Sequence, residues 1–140
     1  MIEIRLSLAE TRWALQRSGI TPRMPSPILE PVEAVPEVPS PSPAESEIVK
    51  SLQARGLAGT DGSPNPLLCA ALEWLSVPDR VWSLSLFGRG GAEMVHLATK
   101  EDAAVECRRS TDGFRLRFPV PASEAEEWLS LRLRGGAHGS

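Results

Sequence analysis

The sequence predicts an α+β fold, an antiparallel β-meander sheet with helices packed on it. Three observations carry this. Apolar residues recur at helical spacing over 7–18, 44–55 and 66–76. From Arg80 to Phe118 the period falls to two, with glycine-rich breaks at 88–91 and 111–113. Eight of the thirteen prolines fall between Pro22 and Pro43. Proline lacks an amide hydrogen and has a fixed φ, so that window reads as neither helix nor central strand.

The 140 residues, 41% apolar and 24% charged, suffice for one core. Residues 1–21 are expected to join the main domain as a strand and a helix. Residues 22–43 form a partly docked connector, 44–135 the main domain, and 136–140 a frayed tail. A net charge of −3 gives no overall field that attracts nucleic acid or an anionic membrane. No apolar run approaches the roughly 18 residues of a spanning helix. MIEIRLSLAE places Glu3 and Arg5 among its apolar residues, unlike a signal-peptide core. Cys69 and Cys107 sit singly in apolar stretches and read as free thiols, which fits a cytoplasmic protein.

Each element has its own signal. Residues 2–6 (IEIRL) alternate as a half-buried strand does. Ser7 and Glu10 have the spacing of a capping box, so a helix opens at Ser7 and stops at Gly19, with Ile20 folding back. Within the proline window, 27–33 reads as extended polyproline-like backbone and 34–43 as mobile connector. A second helix covers 44–55 and ends at Gly56, and GTDGSPNP (59–66) is a turn. A third helix, 66–76, starts with Pro66 in its first turn and is apolar almost all round, the most buried element. Strands follow at 80–87, 92–98, 103–109 and 114–118, joined by GRGG and TDG turns. A last helix, 124–133, opens at Ser123 and carries Trp128, Leu129 and Leu131.

The candidate sites weigh unequally. Cys69 or Ser85 with His96 and Asp102 supplies the residue types of a hydrolase, but without a strained nucleophile motif, and His96 sits inside a strand. GRGG joins two strands and leads into no helix, so it reads as a hairpin turn and not a phosphate loop. No metal or cofactor set is apparent, and no enzyme is expected. The order helix, turn, helix, strand, strand mimics a winged helix, the alternative reading. Its recognition helix, PLLCAALEWLS, would bring no Arg or Lys to DNA, so no nucleic-acid partner is expected. The strand 80–87 carries large apolar residues on both faces. That makes Trp82, Leu84, Leu86, Met94 and Val95, with Trp128 from the last helix, the candidate surface for a protein partner or a second copy.

The order of these segments is similar to a known one. SLAETRWALQRSGI resembles the opening helix of the EspG family, cytosolic chaperones of mycobacterial type VII secretion. SLQARGLAGTDGSPNPLLCAALEWLSVPDRVWSLSLF resembles a later segment of that family through Leu52, Arg55, Gly56, Leu57, Gly62, Pro64, Pro66, Leu72, Pro78, Arg80 and Val81. The resemblance covers residues 3–118, the N-terminal half of a family member. It implies an EspG-half-like sheet with helices, no catalysis, and binding of a helical secreted partner by covering an apolar segment. Since the family's two halves are related by a pseudo-two-fold axis, it also implies a homodimer that replaces the second half.

Overall fold

The computed structural model describes residues 2–88, 91–101, 103–109 and 112–121, together with Ser123, Glu124, Glu127 and Ser130; for 84–88 and 91–93 it describes the backbone. Strand β1 (Ile2–Ser7) alternates as its sequence demands, with Ile4 and Leu6 buried and Glu3 and Arg5 outward. Helix α1 (Leu8–Ser18) follows without a break. Its capping box forms: the Ser7 amide donates to Glu10 Oε1 at 2.8 Å, and the Glu10 amide to Ser7 Oγ at 3.0 Å. Gly19 ends the helix at φ 67°, a left-handed conformation that costs glycine nothing. The Ile20 amide then closes onto the Leu15 carbonyl at 3.0 Å.

The proline window departs from expectation. Residues 27–33, expected to be extended, contain a one-turn helix, α2 (Leu29–Glu33). Pro31 is its third residue, where a helix leaves amides without intrahelical partners, so the missing N–H costs nothing there. Ile28 and Val32 are 0% and 1% exposed and anchor the turn to the core. Residues 34–43 are not free along their length either. Val38 is buried, and the Gln16 side-chain amide accepts from its N–H at 2.9 Å and donates to its carbonyl at 3.2 Å. Local composition could not show that contact, because its partner lies 22 residues away.

Helices α3 (Pro43–Ala54) and α4 (Pro66–Ser76) each begin on a proline preceded by a capping side chain. Ser42 Oγ accepts from the Glu45 amide at 3.1 Å, and Asn65 Oδ1 from the Leu67 amide at 2.8 Å. In α4, Leu68, Ala71, Leu72 and Leu75 are fully buried. Each such leucine contributes about 1.5–3 kcal/mol relative to exposure.

Four further strands complete an antiparallel sheet: β2 (Arg80–Gly88), β3 (Gly91–Lys100), β4 (Ala103–Arg109) and β5 (Gly113–Pro121). The order is β1-β5-β4-β3-β2, so the N-terminal strand closes the meander at the far side from β2. Gly88 pairs with Gly91 as a hairpin requires. Strand β5 runs past its expected end at Phe118. Its register against β4 shifts between Ala104 and Glu106, and Pro119 falls in that irregularity, beyond the point where Ile2 of β1 pairs with Phe118. A proline is tolerated where no ladder bond is needed.

One sheet face carries the main core. Ile4, Leu6, Val105, Cys107, Phe114, Leu116 and Phe118 pack there with Trp13 and Leu15 of α1, Leu52 of α3 and the leucines of α4. The other face holds a smaller cluster, Leu97, Ala104 and Val120. Beside it lies the buried carboxylate of Glu106, which accepts from Arg108 Nε at 2.8 Å and Arg117 Nη1 at 3.0 Å. Ser123, Glu124, Glu127 and Ser130 are helical and exposed. The remainder of the helix expected at 124–133 lies outside the described residues.

Candidate protein-binding edge

Among the described residues, strand β2 pairs with β3 only and ends the sheet. Its second backbone edge therefore offers a row of amides and carbonyls to a partner strand. Edge strands are ordinarily guarded by lysine, proline or inward charge. Residues 81–87 (VWSLSLF) contain none of these. Pro78 and Arg80 guard only the entrance.

Trp82 is 46% exposed and Met94 37%. The register separates them. Trp82 pairs with Leu97, whereas Met94 pairs with Ser85 and Arg109, three residues away along β3. Alternation along β3 then places Trp82 and Met94 on opposite faces. They flank the edge from its two sides and do not form one facial patch. Val95 differs from the expectation set for it. At 1% exposure it is buried, although its neighbour Met94 on the same strand is not. Leu84 and Leu86 hold backbone register with Val95 and Glu93, their side chains lying outside the described residues. Trp128 lies outside the described residues as well.

Of the residues considered for hydrolysis, the side chains of Cys69 and His96 are described, and each bonds to a different serine. Ser83 Oγ and His96 Nδ1 share a hydrogen at 2.7 Å, while Cys69 Sγ pairs with Ser18 Oγ at 3.3 Å. Burial, reinforced by Arg109, holds the His96 pKa below the usual histidine value, favouring the neutral ring. Cys107 is next to His96 in register, but burial pushes its thiol up to about 12. A thiol so rarely ionised is a poor nucleophile and serves as packing. The side chain of Ser85 and all of Asp102 lie outside the described residues.

A second feature, at the opposite edge, was not singled out from the sequence. A cavity of about 690 Å³ opens beside β1, between the start of α1, the end of α3 and the β4–β5 hairpin. Five arginines line it: Arg5, Arg55, Arg108, Arg109 and Arg115. The signal was present in the alternation of IEIRL and FRLRF, whose outward residues are charged. Only the register of β1 on β5 brings those charges together.

No family model matches the chain. No curated protein matches it in sequence. Its fold is similar to that of the Mycobacterium tuberculosis type VII secretion system chaperone EspG5, in the structure of its complex with the PE25-PPE41 dimer. The TM-score is 0.62 at 16% sequence identity, over 96% of this chain and 51% of the other. The chain thus has an EspG-like fold and spans about half the length of that protein.

Proposed function

We propose that this chain is a non-enzymatic, cytoplasmic protein-binding scaffold that covers a hydrophobic segment of a secreted, helical partner and works as a homodimer. The bare β2 edge, with Trp82 half exposed beside it, is the observation that carries the reading. A strand of nine residues whose second edge is unpaired among the described residues, and whose sequence alternates apolar residues with serines, is costly to leave in water. The EspG-like fold supports the class of partner, since EspG5 was captured with a protein dimer bound. An unpaired edge strand can also pair with its own copy about a two-fold axis, which supports a homodimer.

The winged-helix alternative has less behind it. In a DNA reader the second helix stands out from the domain. Here α4 is packed against β3, β4 and β5, and its exposed positions include Leu67 and Glu73. Neither suits a phosphate backbone.

Light scattering on purified protein tests the dimer: a species of twice 15.2 kDa is expected, and a clean monomer overturns that part. Co-expression with a secreted helical-hairpin protein tests the capture. The native chain should keep that partner soluble and Trp82→Ser should not, while circular dichroism shows the variant still folded. Equal partner solubility with both chains would sink the role given to Trp82.

A further inference from the structure

The cavity beside β1 has a charge pattern that the fold alone does not require. Arg5, Arg115 and Arg108 stand directly opposite one another on three neighbouring strands, β1, β5 and β4, at the mouth of the cavity and on the sheet face turned away from the helices. Like charges placed across a ladder repel, and each such pair destabilises the sheet. Part of the charge is offset. Arg115 lies 3.5 Å from Glu3, and Arg108 donates to Glu106. The Glu3 pair is about half exposed on both sides and is correspondingly weak. Arg55 is engaged by Glu10 and by the Arg5 carbonyl, so those two charges cancel. Asp112 is the other carboxylate among the lining residues. The remaining cations, Arg5, Arg109 and Arg115, are all exposed.

We propose that this arginine row on the open sheet face binds a carboxylate-rich, extended peptide segment of the protein partner, at the opposite sheet edge from Trp82. The inference rests on the reading of the chain as a protein-binding scaffold. Guanidinium groups present paired N–H donors that match carboxylates two at a time. The row crosses three strands, a span that suits several successive acidic residues better than one small ion. Nucleic acid fits less well. The ring lining the cleft, Phe114, is 3% exposed and offers no stacking surface, and the chain as a whole is negative.

Fluorescence anisotropy with a labelled hexaglutamate peptide, titrated with the full-length chain, tests this. Binding should weaken as salt rises, and labelled hexaglutamine should not bind. The double variant Arg5→Gln/Arg115→Gln should weaken binding at least about tenfold, as loss of charge-assisted hydrogen bonds does. Arg80→Gln, at the far edge of the sheet, should leave it unchanged. Both changes fall on exposed side chains, and thermal melts confirm that the variants fold. Three results overturn the proposal: equal binding of hexaglutamine, an equal loss in Arg80→Gln, or no measurable hexaglutamate affinity. Any of these leaves the Trp82 surface standing, because its test reads partner solubility and not charge.

Discussion

The sheet has two edges, and the chain treats them differently. At β1, the strand runs straight into α1, and the Leu8 amide donates to the Asp112 carbonyl at 3.1 Å. Arg55 reaches from the end of α3 to the Arg5 carbonyl and to Glu10. The outward residues Glu3 and Arg5 are charged. At β2, residues 81–87 carry no charge and no proline, and Trp82 stands half in water. Among the described residues, an arginine from α3 caps one edge and no side chain is seen to cap the other. Both β1 and β2 alternate in sequence, so alternation alone does not tell a guarded edge from a bare one.

The sharpest way to break the finished edge is Gly113→Ala. Gly113 pairs with Ser7, and a β-carbon there would collide with the backbone carbonyl of Leu6, which cannot rotate away. The variant should lose about 3 kcal/mol, the upper range for overpacking, read as a drop in the urea midpoint. An unchanged midpoint would mean that β1 is not held tightly against β5.

A smaller effect is expected from Glu10→Gln, about 1–3 kcal/mol, since it removes the charged partner of Arg55 while a glutamine can still close the capping box. Acid should do the same. Burial would raise the Glu10 pKa, but the Ser7 amide and the Arg55 guanidinium outweigh it and hold the carboxyl below its usual 4.5. A group depressed on folding stabilises above its unfolded pKa and is lost as pH falls through the folded one. The β1 edge should therefore keep its hydrogen-exchange protection down to about pH 4.5 and lose it below. In Glu10→Gln that acid step should vanish.

The bare edge should yield earlier. His96, cross-strand from Ser83 of β2, is held below the usual 6.5 by burial and Arg109. Its unfolded form binds the proton more readily, so stability falls as pH drops below 6.5. Amides of β2 and β3 should lose protection before those of β1 and β5 on acidification. Simultaneous loss at both edges would show that the sheet opens as one unit.

The smallest effect on stability belongs to Trp82→Ser, within about 0.5–1 kcal/mol, because the ring is already half exposed. A loss of several kcal/mol would assign Trp82 to the core and remove it from the candidate surface.

Local signals proved readable where they are self-contained. The Ser7–Glu10 box, the stop at Gly19, and the prolines at the starts of α3 and α4 each involve residues within one turn of one another. The α+β class followed from the change of period at Arg80. What could not be read depends on distant pairing. The strand order, with β1 on β5, joins residues more than 100 positions apart, and it alone aligns Arg5, Arg115 and Arg108. Which of the neighbours Met94 and Val95 is buried, the second at 1% exposure, is likewise not disclosed by AEMVHLA. Pro31 misled for a different reason. Proline excludes a helix interior but not a first turn, and a helix of five residues is nearly all first turn.

The bracket formed by Gln16 around Val38 bears on how the chain closes on itself. A side-chain amide that both accepts from the N–H and donates to the C=O of one residue acts as a single ladder rung supplied by a helix. It divides the run from α1 to α3 into two shorter loops, each tied at both ends. The closure entropy of a loop grows only with the logarithm of its length, so the saving in free energy is small. The geometric effect is larger. With Val38 pinned to α1, the few residues from Pro39 to Ser42 can deliver α3 only to the flank of α1. There Glu45 receives the Trp13 indole N–H at 2.9 Å.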